Sequence, residues 1–247
     1  MCRKALMVKN MDRKQQFIDF ISERSDAELK EMTDNMKILM SYYRCAMFEI
    51  ETKFRVLNEQ FSIEHERNPI ESIKTRLKSL ESIREKTIRK EIPFTVQSIE
   101  NNLSDIAGVR VICSFIDDIY MLADCLTSQD DVYLVADALL KQDDVILLSR
   151  KDYIANPKPN GYRSLHLIVE IPIFLRNEKR FVKVEVQLRT IAMETWARLE
   201  HRMRYKKNLS DDLLKQTENE LLECAELSNT LDLKMQDIRN KIEGEYI

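Results

Sequence analysis

Three glycines in 247 residues restrict this chain more tightly than any other feature of its sequence. Glycine is the residue that enters positive φ without steric cost, and Gly108, Gly161 and Gly244 are too few for a GxGxxG or Walker-type phosphate loop. They are also too few for the tight turns of an all-β fold. A mostly helical chain with a small sheet remains. At 44% hydrophobic residues it can bury a sizeable core, and 39 Lys plus Arg against 42 Asp plus Glu leave a net charge of −3. It therefore lacks the overall cationic field of a nucleic-acid coat, and any anion site must be local. The five cysteines (Cys2, Cys45, Cys113, Cys125 and Cys224) are odd in number and form no CxxC pair, so they read as reduced thiols, without a zinc site. No apolar run approaches membrane-spanning length and none near the start resembles a signal segment, which predicts a cytoplasmic protein.

Residues 15–61 contain no Gly or Pro and predict long helices, the second carrying Met36, Leu39, Tyr43, Ala46, Ile50, Phe54, Leu57 and Phe61 at helical spacing. Residues 71–90 predict another helix, closed by Ile92-Pro93, and residues 94–103 a short connecting one. Four β-branched runs follow, at 109–115, 145–149, 164–173 and 181–190, for a mixed sheet of about four or five strands. Between the first two runs, 117–142 reads as helical, with a break near Thr127-Ser128. Beyond the sheet come a helix at 191–205 and a last helix capped by Ser210 and running to about 242. Leu214, Thr217, Leu221, Cys224, Ser228, Leu231, Met235, Ile238 and Ile242 follow a heptad there, and the favoured reading is packing against the N-terminal helices of the same chain. The expected class is α+β: a helix-packed mixed sheet with long N- and C-terminal helices. One domain is expected over 1–247, with N-terminal helices at 1–66, a core at 67–208 and a C-terminal helix at 209–247.

The segment 74–90 holds seven basic and two acidic side chains, a local +5 in a chain of net −3. On a helical wheel Lys78, Ser82, Lys86 and Arg89 share one face, with Ile73, Leu77, Leu80 and Ile88 opposite. Cations around a hydroxyl suit a polyphosphate, although this segment alone reads equally as a solvated basic face. The run 181–190 sends Val182, Val184, Val186 and Leu188 one way and Lys183, Glu185, Gln187 and Arg189 the other. Its neighbour sends His166 and Glu170 to the polar side, and the first strand adds Asp105 and Arg110. Asp105 and Glu185 are a pair able to hold Mg²⁺ against phosphates, because Mg²⁺ takes one or two protein carboxylates and fills its shell with substrate oxygens and water. Singly, each acid is better read as a surface ion pair. Tyr162 follows the Pro157-Lys-Pro-Asn-Gly161 turn on a stiffened loop, where its ring could stack on a base or serve as core. Glu194 has a carboxylate able to accept two parallel donors such as a guanine edge, while Trp196, Glu200 and His201 read equally as packing and ion-pair residues.

Asp105-Ile-Ala-Gly-Val-Arg110, Lys151-Asp-Tyr-Ile154, Pro157-Lys-Pro-Asn-Gly-Tyr-Arg-Ser-Leu-His166 and Val184-Glu-Val-Gln-Leu-Arg-Thr190 together resemble the synthetase domain of the RelA/SpoT homologues. The order and spacing agree over about 69–206, and the short chain is similar to the small alarmone synthetases, its Asn-Pro-Lys-Pro-Asn-Gly loop leaning toward the RelP branch. The histidines are His65, His166 and His201, and none precedes an Asp, so the His-Asp motif of a hydrolase domain is missing. The resemblance implies a nucleotidyltransferase-like fold and Mg²⁺-dependent transfer of the ATP β,γ-pyrophosphate to the 3′-hydroxyl of GDP or GTP. The products would be AMP and ppGpp or pppGpp, made for the stringent response without hydrolysis. It also implies that Arg76, Lys78, Ser82, Lys86 and Arg89 grip ATP phosphates and that Arg110 stacks on adenine. Asp105 and Glu185 would handle Mg²⁺, Glu185 also acting as base. Tyr162 would stack on guanine, Lys151, Lys158 and His166 meet the guanosine 5′-phosphates, and Gln187 and Arg189 shape the space between. Glu194 would read guanine. A homo-oligomer, by resemblance a homotetramer, is expected, with neither membrane nor obligatory nucleic acid as partner. The competing reading is a non-catalytic single-stranded RNA-binding module using the basic segment and Tyr162, and it leaves Asp105 and Glu185 without a purpose.

Overall fold

The structure is a computed structural model that describes residues 25–65, 67–127, 145–204 and 211–244. Helix α1 (Asp26–His65) is followed by strand β1 (Ile70–Leu77), helices α2 (Leu80–Lys90) and α3 (Val96–Asn102), strand β2 (Ala107–Cys113) and helix α4 (Ile116–Thr127). Strands β3 (Ile146–Asp152), β4 (Leu165–Phe174) and β5 (Lys179–Thr190) then lead into helices α5 (Ile191–Arg204) and α6 (Asp211–Gly244). The expected helix before residue 26, the break at Thr127-Ser128 with the helix beyond it, and the Ser210 cap lie outside the described residues.

The five strands form one mixed sheet in the order β1-β2-β5-β4-β3, with only β2 and β5 parallel. Alternation in β4 and β5 places Leu165, Leu167, Val169 and Ile171 with Val182, Val184, Val186 and Leu188 on a fully buried face. Helix α1 covers that face with the stripe visible in the sequence: Met36, Leu39, Tyr43, Ala46, Ile50, Phe54 and Leu57 are all buried. Helix α4 closes it with Ile119, Leu122, Ala123 and Leu126. The opposite face keeps its polar side chains, and α5 stands beside it as a wall.

Two expectations are corrected. Residues 71–90 are not one helix: 70–77 pair antiparallel with β2, and the helix begins only after Ser79, whose hydroxyl caps it by accepting from the Ser82 N–H at 3.2 Å. Ile73, Lys74, Leu77 and Lys78 satisfy a four-residue helical spacing and a strand alternation alike, and the ladder offered by β2 decides in favour of the strand. Nor does α6 pack mainly against α1, the one of the expected N-terminal helices that lies among the described residues. Its neighbours are α4, where Gln236 accepts from the Asp117 N–H at 3.3 Å, and α5, where the Leu221 carbonyl accepts from Trp196, while Leu231, Met235, Ile238 and Ile242 of the heptad stay exposed.

Scarcity of glycine shows at the end of α2, where Glu91 takes the left-handed conformation (φ 58°) that glycine normally supplies to close a helix. Replacing Glu91 by Gly is expected to stabilise the fold by about 0.5–1 kcal/mol by removing the Cβ penalty. Urea unfolding of the two proteins checks this, and an unchanged or lowered midpoint contradicts it.

Candidate active site

The open face of the sheet forms the floor of a cleft of about 530 Å³, walled by β1 on one side and α5 on the other. Side chains reach it in register: the parallel pairing sets Gly108 beside Glu185 and Arg110 beside Gln187. Across β4, His166 stands opposite Gln187. From β1, Lys74 and Arg76 enter the cleft two residues apart, followed by Lys78.

Asp105 is the first of its two carboxylates. One oxygen, Oδ2, accepts from Lys78 Nζ and Lys86 Nζ, each at 2.6 Å. The other, Oδ1, is buried without a hydrogen-bond partner. Burial pushes the Asp105 carboxyl upward, but the two ammonium groups outweigh it and hold the group below its ordinary range. Glu185 is the second. Its Oε2 accepts from Gln187 Nε2 at 3.0 Å, and its Oε1 lies 3.4 Å from His166 Nδ1. Burial again works against ionisation and is outweighed, here by His166 and Gln187, so that Glu185 is ionised at neutral pH. The imidazole is oriented from behind. Tyr162 Oη accepts from Arg189 Nη2 at 2.5 Å and lies 2.7 Å from His166 Nε2. With Nδ1 facing the Glu185 carboxylate, a neutral ring carrying its proton there leaves Nε2 to accept from the tyrosine hydroxyl.

Glu194 is buried at the N-terminal turn of α5 beneath the cleft. It accepts from Arg189 Nη1 at 2.8 Å, Arg110 Nη1 at 3.2 Å and Lys74 Nζ at 3.4 Å. Three cations from three strands therefore converge on one carboxylate, and they hold it below its usual range against the opposing effect of burial. Arg110 and Arg189 share the side-chain amide oxygen of Gln187, Oε1, as a second acceptor. The Tyr162 ring has Lys158 Nζ at 4.7 Å and the Arg189 guanidinium carbon at 5.0 Å from its centroid.

Of the residues expected from the sequence, Arg76, Lys78, Asp105, Arg110, Tyr162, Glu185, Gln187 and Arg189 line the cleft. His166, Lys86 and Glu194 each lie one contact behind it. Ser82, Arg89, Lys151 and Lys158 are not among the lining residues; Arg89, Lys151 and Lys158 are exposed, and Lys158 reaches the site only through the Tyr162 ring. Sequence reasoning missed Lys74, which the strand alternation would have paired with Arg76, and Arg198 and Arg202, which share a face of α5 at the four-residue spacing and line the cleft with His201. Trp196 is a packing residue, its indole N–H bonded to the Leu221 carbonyl at 2.9 Å.

Residues 75–210 match the family model for the region found in RelA / SpoT proteins, more than half of the chain. The chain belongs to the RelA/SpoT family. Within that family it is 42% identical over 216 residues to the Bacillus subtilis GTP pyrophosphokinase YwaC, covering 87% of this chain and 96% of the relative. It is 34% identical over 201 residues to the GTP pyrophosphokinase YjbM of the same organism, covering 81% and 87%. Among solved RelA/SpoT structures, small alarmone synthetase 1 from Bacillus subtilis bound to its product pppGpp superposes with a TM-score of 0.71 at 32% identity, over 85% of this chain and 99% of that one. No helix among the described residues is long and apolar enough to cross a membrane.

The ion-pair hub predicts a pH signature. Because the folded state lowers the pKa of Glu194 below 4.5, its stabilisation is present above that pH and is lost as the pH falls through the lower, folded value. Glu194→Gln is expected to cost about 1–3 kcal/mol at neutral pH, with the difference from the unsubstituted chain shrinking below about pH 4.5. Thermal unfolding between pH 7 and 3 measures it, and a difference independent of pH would contradict the assignment.

Proposed function

We propose that this chain transfers the β,γ-pyrophosphate of ATP to the 3′-hydroxyl of GDP or GTP, releasing AMP and ppGpp or pppGpp. The observation that carries the reading is the pairing of two ionised carboxylates, Asp105 and Glu185, on the floor of a cleft whose other charged walls are mainly cationic. Its support from outside the chain is that YwaC and YjbM are GTP pyrophosphokinases and that small alarmone synthetase 1 holds pppGpp.

The reaction requires the guanosine 3′-oxygen to attack the β-phosphorus of ATP while the bond from that phosphorus to the α,β-bridging oxygen breaks and AMP leaves. Such transfers depend on positioning and charge neutralisation more than on covalent catalysis. Arg76 and Lys78, with Ser82, Lys86 and Arg89 on the adjoining helix, receive the ATP phosphates, and Arg110 receives the adenine. Tyr162 stacks on guanine, and Lys151 and Lys158 meet the guanosine 5′-phosphates, while His166, also expected there, has its ring nitrogens turned to Glu185 and Tyr162. Gln187 and Arg189 separate the two nucleotides. Glu185 accepts the proton of the attacking hydroxyl, its carboxylate aimed by Gln187 and the His166 imidazole. Glu194, with its oxygens engaged by three cations, holds Arg110 and Arg189 at the seam between the nucleotides in place of the guanine-reading role its position suggests.

The donor set fits a divalent cation: Asp105 Oδ1 is a buried carboxylate oxygen with no partner, and Glu185 lies on the same floor. Asp105 and Glu185 would hold Mg²⁺, which when bound neutralises charge on the transferring phosphates. Copies of the chain assemble through exposed apolar residues such as Leu227, Leu231 and Ile238 on α6 and Phe48 and Val56 on α1, in a homotetramer by family likeness. The whole of 1–247 acts as one cytoplasmic synthetase unit.

Incubation with ATP, Mg²⁺ and GDP or GTP, followed by anion exchange, is expected to show AMP and a more highly charged guanosine nucleotide in equal amounts. Chelation of Mg²⁺ should stop both. Glu185→Gln is expected to lower kcat by at least about 10³-fold while nucleotide binding by calorimetry is retained. ATP left intact with every guanine nucleotide would overturn the reading. Tyr162→Ala is expected to raise KM for the guanine nucleotide by an amount equivalent to about 1–3 kcal/mol, and an unchanged KM removes Tyr162 from the site.

A further inference from the structure

The loop that presents Tyr162 touches α6 on both sides of the tyrosine. Gly161 before it has φ +84°, and a Cβ at that position would come within 2.5 Å of the Ala225 Cβ and 3.1 Å of Leu222 Cδ1, so the loop backbone lies directly on the helix. Arg163 after it donates through Nη2 to the Glu226 carboxylate at 3.1 and 3.4 Å and through Nη1 back to the Gly161 carbonyl at 3.4 Å. The Arg163 Nε is buried without a hydrogen-bond partner, and the guanidinium also feels the charge of Asp232 on α6.

Helix α6 is in turn fixed to the framework of the cleft on either side of Ala225. One turn earlier the Leu221 carbonyl accepts from Trp196 of α5, and two turns later Asp232 accepts from the Thr190 hydroxyl at the end of β5, at 2.7 Å. Neither Ala225 nor Glu226 lines the cleft. We propose that α6 is the positioning element for the base-stacking loop, with Ala225 and Glu226 as positioning residues that set where Tyr162 stands against the guanine nucleotide. The proposal rests on the pyrophosphate-transfer reading and adds to it a determinant outside the cleft that acts chiefly on one substrate.

The physical expectation is a split between substrates. The ATP phosphates are gripped by β1 and α2, which the Ala225 and Glu226 contacts do not involve, so loosening α6 against the loop weakens the guanine nucleotide far more than ATP. The experiment compares Glu226→Gln, Glu226→Asp and Ala225→Val in the full chain, varying GDP and ATP separately, with the emission of the single Trp196 reporting that α6 stays docked. Glu226→Gln is expected to raise KM for GDP about three- to fivefold, the scale of an exposed ion pair. Ala225→Val, which pushes the loop backbone, should raise it by about tenfold or more, with KM for ATP within about twofold in both and kcat falling by less than KM for GDP rises, since Tyr162 also touches the His166 imidazole. Glu226→Asp should recover most of the loss, and Trp196 emission should stay unchanged. A GDP KM unchanged in both variants, or parallel losses in GDP, ATP and kcat, would overturn the proposal. If the unsubstituted chain itself makes no guanosine product, the transfer reading has failed. Calorimetric titration with GDP and with ATP then tests the role of α6 by itself, weaker GDP with unchanged ATP supporting it and equal affinities in all variants overturning it.

Discussion

The site depends on one backbone pairing. β2 and β5 are the only parallel neighbours among the described strands, and their register sets Gly108 and Arg110 beside Glu185 and Gln187 on the open face, with Asp105 just before β2 begins. A slip of one residue in either strand would turn its polar set, Gly108 and Arg110 or Glu185 and Gln187, toward the apolar face under α1, and in β5 it would bring Val184 and Val186 into the cleft. That register is defended by burial, since Ala107, Val109, Val111, Val184, Val186 and Leu188 are each at most 1% exposed. The chemistry therefore inherits its precision from the core.

Charge management is the second constraint. Lys74, Arg76, Lys78, Arg110, Arg189, Arg198 and Arg202 share one cleft and would repel one another if nothing opposed them. Glu194 and Asp105 are the counterweights, each taking at least two cations on a buried or half-buried carboxylate. Exposed pairs such as Lys37–Asp34 contribute little, being screened by water. The arrangement keeps Arg76, Arg198 and Arg202 on the cleft wall, where the proposed reaction would bring phosphates, and it leaves Asp105 with one oxygen uncommitted.

Much of this was legible in the sequence because two signals are unambiguous. The alternation 182–188 declares a strand with one buried face, and the stripe from Met36 to Leu57 declares the helix that covers it. The four ordered motifs then named the family. The strand β1 was not legible, because Lys74, Lys78, Ser82 and Lys86 also fall at helical intervals and only a partner strand can choose between the two periods. Lys74 and the α5 cations escaped for related reasons, since their roles come from which wall faces which across the cleft. The hub at Glu194 joins residues 120, 84 and 5 positions away in the chain, a convergence that only the folded sheet produces. The outward direction of the α6 heptad was equally hidden, because a stripe in the sequence does not say whether it meets its own chain.

Two nucleotides meeting over Asp105 and Glu185, with a pyrophosphoryl group passed intact between them, is the central claim. The most direct measurement is to supply ATP labelled at the β-phosphorus together with GDP and Mg²⁺ and to follow the label. The account predicts that all transferred label appears in the guanosine product and that the AMP formed carries none. Label recovered in ADP, or in free pyrophosphate with the GDP unchanged, would contradict it.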